Sequence, residues 1–299
     1  MTESALPAQG SLAPSRTPPR RSFAAFAWRR FRSNHIAMLS AAILIALALS
    51  ALLAPVIAPH DPNKVSIFRS HERPSADHWL GTDENGRDEL SRLLFGARIS
   101  MSVGIVAMAI GLTIGVVIGS LAGYFGGFVD AFLMRLTDAM LAIPYFFLIL
   151  IVVAVYGSSV GNLILVIGLS SWMAIARIVR SEVIRLKGQE FVIAAESIGV
   201  SSGRILARHI VPHAVPSIIV AATLGIANAI LLESALSYLG VGVRPPDASW
   251  GNMLSNSQAY LWNNPLLPIY PGVLIFVSVL AFNFLGDALR DSLDPHLKN

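Results

Sequence analysis

Uncharged apolar runs of membrane-crossing length recur along the chain, separated by stretches where arginine, aspartate and glutamate gather. A helix rising about 1.5 Å per residue needs about 20 apolar residues to cross a hydrocarbon layer about 30 Å thick. Residues 36–58 and 99–123 meet this without one charge. Residues 139–176 also lack charge, but as one helix they would measure about 57 Å, too long for a single crossing. Tyr156-Gly157-Ser158-Ser159 and Gly161-Asn162 interrupt that run, and such turn residues predict a hairpin of two spans, about 139–155 and 160–178. A fifth span is expected at about 214–240. In the last uncharged stretch Pro265, Pro268 and Pro271 mark a loop and helix entry, leaving a sixth span at about 267–286. The pattern predicts an all-α membrane protein with six transmembrane helices and both termini on one side.

Lysine and arginine near span ends stay cytoplasmic, so their distribution sets the orientation. Six arginines precede the first span, and Arg135, the cluster between Arg177 and Arg208, Arg290 and Lys298 fall on the same side. The opposite side holds Arg244 and six basic residues within 59–98, where seven acids accompany them. Both termini are therefore expected inside. The divisions are a tail at 1–35, a first transmembrane helix at 36–58, a periplasmic loop at 59–98 and a five-helix core at 99–299, with a cytoplasmic loop at 179–213. The tail has no short apolar core followed by a small-residue cleavage site, which argues against a cleavable signal. Its portion up to Pro19 is expected to be disordered. At 22–32, Phe23, Phe26, Trp28 and Phe31 interleave with Arg29, Arg30 and Arg32, suiting an anionic membrane surface.

Composition agrees: 54% of residues are apolar, 13% are charged and mean hydropathy is +0.63, against about 25% charge in soluble domains. A pI near 9.7 would suggest nucleic acid in a soluble protein, but here the basic residues flank apolar runs, so lipid headgroups are the expected partner and nucleic acid is not. With no cysteine, thiolate metal sites, disulfides and cysteine nucleophiles are excluded.

Little arranged chemistry remains. Lys64, Lys187 and Lys298 are the only lysines, and none belongs to a phosphate-binding loop. The segment Asp83-Glu84-Asn85-Gly86-Arg87-Asp88 lacks the alternating acids of a calcium loop, and its twelfth position is Leu94. His209 and His213 are four apart, but Pro212 disrupts a helix between them, so no metal site is expected. Ser170 and Ser171 suit bonds to backbone carbonyls rather than catalysis. No catalytic residue and no cofactor is expected in this chain.

Gly111, Gly115, Gly119 and Gly123 recur at four-residue spacing and predict a face for close helix packing. Leu90, Leu93, Leu94 and Ala97, after the Asn85-Gly86 turn, predict an amphipathic helix on the outer surface, with Arg87, Asp88, Glu89 and Arg92 on other faces. Glu233 is an acid inside an apolar run, about 28 Å along its span. Such a carboxylate faces a pathway or gate, or makes a structural bond. Asn228 and Asn283 are weaker candidates of the same kind.

The loop at 179–213 is the longest stretch rich in charge and small residues on the inner side. Its centre reads Gln189-Glu190-Phe191-Val192-Ile193-Ala194-Ala195-Glu196-Ser197-Ile198-Gly199, and Pro212 follows Gly199 by thirteen residues. A short helix with Ala194 and Ala195 admits close approach, Gly199 can end it in the left-handed conformation, and Pro212 can open the next helix. This segment resembles the EAA motif of ABC importer permeases through Ala194, Ala195, Gly199 and Pro212. Ile193 stands where the family has glutamate, leaving Glu190 and Glu196 as the neighbouring acids, and His209 and Val211 replace its usual isoleucine and leucine.

The resemblance runs from Trp79 to the C-terminus and is to the C-type permease of dipeptide, oligopeptide and nickel importers. Leu80-Gly81-Thr82-Asp83 with Gly86-Arg87-Asp88, Gly96-Ala97-Arg98-Ile99-Ser100, Ala122-Gly123-Tyr124-Phe125-Gly126-Gly127, Arg208-His209-Ile210 with Pro212, Ser249-Trp250-Gly251-Asn252-Met253-Leu254, and Asn283-Phe284-Leu285-Gly286-Asp287 to Asp294-Pro295 carry it. Glu233 also falls within a block resembling the family. The resemblance implies a type I ABC importer permease core, MetI-like, in a bacterial inner membrane. It further implies a homologous B-type permease subunit, two ABC ATPase subunits holding ATP and magnesium, and a periplasmic substrate-binding protein. The loop around Glu190, Ala194, Ala195, Glu196, Gly199 and Pro212 would couple to the ATPase. Dipeptides or oligopeptides are the expected cargo, with nickel or glutathione as alternatives. The rival classes are a proton-coupled secondary transporter in which Glu233 titrates, and an intramembrane enzyme. The first lacks a clear internal repeat, and the second lacks an arranged nucleophile, base or metal set.

Overall fold

The computed structural model describes residues 23–293, so the tail expected to be disordered and Asp294, Pro295 and Lys298 lie outside the described residues. Every named element is helical: α1 (Phe23–Ser33), α2 (His35–Ile57), α3 (Glu89–Phe125), α4 (Gly127–Leu141), α5 (Tyr145–Tyr156), α6 (Val160–Lys187), α7 (Glu190–Ser197), α8 (Ser202–Ile205), α9 (Val211–Tyr238), α10 (Trp250–Ser257) and α11 (Leu266–Leu293). Five helices among the described residues are long and apolar enough to cross a membrane, and the bent pair α4 and α5 makes a sixth crossing if it is one span.

Apolar on all sides, α2 begins where the Asn34 carboxamide accepts from the Ile36 and Ala37 amides at 3.0 and 3.2 Å. Only one stripe of it is buried, Ala37, Ser40, Leu44, Ala51 and Ala54, against α3 and α11, while Leu39, Ile45, Leu52 and Val56 point outward. In water that surface would be prohibitive, but hydrocarbon solvates it. Phe31 of α1 packs with Ala37 and Ala288, and Trp28 stacks on Phe31 with ring centroids 6.0 Å apart.

The expected separate amphipathic helix is instead the first part of α3, continuous with the second apolar run. Asp88 caps this 37-residue helix, accepting from the Ser91 amide at 2.8 Å. Nothing interrupts the backbone between the two segments, so helical hydrogen bonding propagates through both. The charged faces expected to meet solvent are also inside, with Glu89 and Arg92 buried. Asp83 pairs with the arginines: its Oδ2 accepts from Arg87 Nε at 2.6 Å and lies 3.4 Å from Arg92 Nε, while its Oδ1 accepts the Asn85 and Arg87 amides. Gly86 makes the tight turn at φ +72°, and a Cβ there would fall 1.9 Å from the Ser66 carbonyl oxygen.

Along the middle of the bundle α3 and α6 touch at backbone distance. A Cβ on Gly119 would lie 2.4 Å from the Ala176 carbonyl oxygen and one on Gly123 2.8 Å from that of Arg180. Gly168 reciprocates from α6 against the Ala107 carbonyl oxygen at 2.9 Å. The glycine stripe is thus a packing face, as its spacing implies.

The third expected span, at 139–155, is not one straight helix. It breaks between α4 and α5, whose axes differ by 76°. Pro144, at the start of α5, has no amide hydrogen and disfavours helical backbone at Ile143. The hairpin at 157–159 is present: Gly157 takes φ +84°, Ser159 caps α6, and Asn162 Nδ2 donates to the Tyr156 and Gly157 carbonyls at 2.9 Å.

Pro212 stands in the first turn of α9, as expected, but α9 is continuous with the helical residues before it. The fifth span runs from Ser202 to Tyr238, with a widened turn at Leu206–Ile210 in which the Val211 amide donates to the Leu206 carbonyl five residues back. A proline cannot supply the four-back bond, and the wider turn immediately before Pro212 takes up that break without ending the helix. The sixth span begins at Leu266 and carries Pro271 within it.

Candidate functional site

Two regions bear the candidate residues. The first is α7 and its turn. Helix α7 ends in a Schellman arrangement: the Val200 amide donates to the Ala195 carbonyl at 3.1 Å, and the Gly199 amide donates to Glu196 O at 3.0 Å. Gly199 takes φ +78°, and a Cβ there would meet nothing within 4 Å, so the turn is open to another surface. Val192 and Ala195 face inward with Tyr124, Val183, Ile205 and Ile210. Outward stand Glu190, Phe191, Ile193, Ala194, Ile198 and Gly199, with Ile193 52% and Ile198 81% exposed. Where the resembled motif carries an acid, this surface is apolar.

The turn is tied to the spans from beneath. Lys187 Nζ donates to the Tyr124 carbonyl at 2.7 Å and stands 5.2 Å from that ring's centroid. The Tyr124 hydroxyl donates to Glu196 Oε1 at 3.3 Å. Pro212 is exposed, and His213 Nδ1 donates to the His209 carbonyl at 2.6 Å while its ring stacks on Phe191 at 4.8 Å. Helix α7 thus touches α3 through Tyr124 and α9 through His213.

The second region is around Glu233, which has no solvent exposure. Ser100 Oγ donates to Glu233 Oε2 at 2.8 Å and Ser237 Oγ to Oε1 at 2.7 Å. Each hydroxyl also accepts a backbone amide: Trp250 donates to Ser100 Oγ at 3.2 Å, and Val243 to Ser237 Oγ at 3.0 Å. One carboxyl group thus joins α3, α9, the segment after α9, and α10. Trp250 is itself fully buried, its Nε1 donating to the Leu93 carbonyl at 3.2 Å, and a capping box between Ser249 and Asn252 starts α10.

The three polar residues expected along a pathway are separated. Asn228 is exposed and lines a cleft of about 780 Å³ with Met108, Tyr145, Ser170, Ser171 and Leu232. Glu233 and Asn283 are not among the lining residues, and Asn283 is half-buried on α11. Ser170 and Ser171 donate to the Val166 and Ile167 carbonyls, both at 2.6 Å, which leaves the cleft mainly apolar.

Sequence reasoning missed Asp130 and Arg180, a bidentate pair clamping α4 to α6 with Arg180 Nη2 donating to Asp130 Oδ2 at 2.6 Å. Fifty residues separate them, and a charge at a span end reads as an ordinary flank. It also missed Ser100 and Ser237, since isolated serines carry no signal without the acid they meet.

These features define a multi-pass helical membrane protein with an exposed, largely apolar helical turn at α7. Residues 115–299 match the family of the binding-protein-dependent transport system inner membrane component, and residues 22–74 match the N-terminal TM domain of oligopeptide transport permease C. The glutathione transport system permease protein GsiD of Shigella flexneri serotype 5b (strain 8401) is 46% identical over 272 residues, covering 91% of this chain and 90% of that protein. GsiD of Salmonella typhimurium (strain LT2) is equally similar over the same shares, and that of Escherichia coli O6:K15:H31 is 44% identical. A chain of the MetNI methionine ABC transporter, in inward facing conformations, aligns with a TM-score of 0.56 at 17% identity over 69% of this chain and 96% of that one, a likeness of fold. The chain belongs to the binding-protein-dependent transport inner membrane component family, with the MetI-like core of a type I ABC importer permease.

Proposed function

We propose that this chain is the C-type transmembrane subunit of an ATP-driven importer for a short peptide, with glutathione the first cargo to test. The observation that carries the cargo is the similarity, at 46% identity across nine-tenths of the chain, to permeases named for glutathione transport. Glutathione is the alternative named from the sequence, and it replaces the dipeptides or oligopeptides expected first as the leading cargo. A nickel importer is the alternative outcome.

In this reading both termini and α7 are cytoplasmic, as the arginine distribution favours, and residues 59–88 face the periplasm. A homologous B-type permease supplies the other wall of the path, whose near wall is the cleft at Asn228. Two ABC ATPases bind ATP and magnesium, and a periplasmic binding protein delivers cargo. The exposed turn at Ala194 and Gly199, with Phe191, Ile193 and Ile198, docks on one ATPase. Closure of the ATPases moves α7, and the contacts through Tyr124 and His213 pass that motion to α3 and α9. Glu190 remains exposed to supply an acidic contact at the rim. Glu233 works as a positioning group that holds α9 on α3 and α10, since its full burial and paired hydroxyls suit a fixed node better than a proton carrier. Asn283 lies apart from that node, and its side chain has no role in this scheme.

The test is reconstitution of the complex from its own membrane in liposomes, with ATP inside and labelled glutathione, a dipeptide or nickel(II) offered with the cognate binding protein. ATP-dependent accumulation of glutathione supports the reading. Accumulation of nickel alone reassigns the cargo, and uptake by this chain without ATP overturns the importer assignment.

A further inference from the structure

Residues 59–88, which connect α2 to α3, bring together two imidazoles and a carboxylate that the permease function does not use. His60 follows the end of α2 by three residues, His78 lies mid-segment, and Asp88 is the N-cap of α3. His78 Nδ1 stands 2.8 Å from Asp88 Oδ1 and His60 Nδ1 3.6 Å from the same oxygen, and the three atoms all lie within 4.8 Å of one another. His78 and Asp88 are buried, while the His60 side chain is 36% exposed, which opens the cluster to solvent on one side.

Three observations mark this as more than a chance gathering. His60 Nδ1 is buried yet has no hydrogen-bond partner, and it is aimed at an oxygen too distant to bond directly. A buried nitrogen left unpaired costs roughly 1–3 kcal/mol, which a ligand between it and the carboxylate would recover. The other Asp88 oxygen is engaged: Oδ2 accepts from the Ser91 amide and hydroxyl at 2.8 and 2.7 Å, leaving Oδ1 for the cluster. Finally, Ser91 Oγ accepts the His60 amide at 3.1 Å, fixing the end of α2 against the start of α3. Hydrogen bonds of this kind, made behind the ligands, orient them in metal sites.

We propose that His60 Nδ1, His78 Nδ1 and Asp88 Oδ1 form a three-ligand site for a divalent transition metal such as zinc(II), clipping the end of α2 to the start of α3. Tetrahedral zinc with bonds of about 2.0–2.1 Å sets neighbouring ligand atoms about 3.3 Å apart, and the two separations at Asp88 bracket that value. Two imidazoles with one carboxylate favour zinc-like ions over calcium or magnesium, which take oxygen ligands. The fourth position faces the open side, for water.

Arg69 is the competitor. Its Nη1 lies 3.2 Å from His78 Nε2, where it donates and so keeps the imidazole proton on Nδ1, hydrogen-bonded to Asp88. When metal takes Nδ1, that proton moves to Nε2, and the guanidinium must turn away, toward Asp77, whose Oδ2 is 3.7 Å from Nη1. The imidazole stays neutral overall, so the exchange balances without further acid or base. Removing Arg69 therefore strengthens binding, an effect opposite in sign to that of losing a ligand.

The experiment titrates zinc chloride into the chelator-stripped complex, with all subunits that accompany the chain, by isothermal titration calorimetry. Wild type is compared with His60→Gln, His78→Gln, Arg69→Ala and, as control, His71→Ala, whose imidazole lies outside the cluster and packs tilted against Tyr260. One saturable equivalent is expected in wild type, weakened at least about tenfold in His60→Gln and His78→Gln, retained in His71→Ala, and bound as tightly or more tightly in Arg69→Ala. The half-exposed His60 makes its variant a mild one for folding. Equal zinc binding in wild type and both ligand variants overturns the site, as does loss of the equivalent in His71→Ala or the absence of any saturable equivalent in wild type. Transport of glutathione is scored separately, since zinc binding here stands or falls independently of cargo.

Discussion

Ser100 on α3 donates to Glu233 on α9 at 2.8 Å across 133 residues of sequence, and the same hydroxyl accepts the Trp250 amide that opens α10. The carboxyl group is therefore held by its partners, and removing it leaves Ser100 and Ser237 without an acceptor in a dry interior. Unsatisfied buried groups cost roughly 1–3 kcal/mol each. Glu233→Ala is expected to lower the thermal unfolding midpoint of the detergent-solubilised complex clearly, while Glu233→Gln, similar in shape and keeping one carbonyl acceptor, stays near wild type. An alanine variant as stable as wild type would remove the node from the account.

Between α3 and α6 the contact depends on missing side chains. Gly119→Ala places a methyl group 2.4 Å from the Ala176 carbonyl oxygen, an overlap that forces the helices apart at roughly 1–3 kcal/mol. Gly161→Ala, whose Cβ would have only the Ser159 hydroxyl within 4 Å, is the control and should be near neutral. Thermal melts of the two purified variants decide this, and equal midpoints would contradict close packing.

The turn after α7 can be probed without steric conflict, because a Cβ on Gly199 meets nothing. An L side chain at its left-handed φ costs roughly 1–2 kcal/mol, and a carboxylate there adds charge beside the apolar Ile193 and Ile198. Gly199→Glu is expected to insert and assemble normally yet hydrolyse ATP without driving uptake. Coupled uptake at the wild-type rate in liposomes would disprove the docking role.

Asp130 and Arg180 pair through two parallel hydrogen bonds while partly exposed. Bidentate geometry places their coupling near the upper end of the exposed range, roughly 1 kcal/mol. A double-mutant cycle of Asp130→Asn and Arg180→Gln, read by thermal unfolding, should return that coupling, and additivity of the two single effects would show that the clamp is idle.

How much of this was legible beforehand differs by element. The hairpin at Gly157 could be read because a left-handed glycine, a capping Ser159 and a turn-bonding Asn162 act within a few residues of one another. The close face of α3 was legible for a similar reason, as four glycines at one spacing need no partner to be recognised. The continuity of α3 was not: a change from mixed to wholly apolar composition looks like a boundary, whereas backbone hydrogen bonding ignores it. Pro212 could be read as a first-turn residue of α9, whereas the widened turn that joins α9 to the helical residues before it could not.

What the sequence by itself determined is which stretches are apolar enough to cross a membrane, where the hairpin at Gly157 reverses the chain, and which loop carries an open glycine, because composition and local backbone preference decide these. Only the tertiary structure decided what Glu233, Arg180, His60 and Asp88 do. Glu233 meets Ser100 from 133 residues away, Arg180 meets Asp130 from fifty away, and the linker folds to bring His60 and His78 to Asp88, conditions on the packed molecule that no local pattern records.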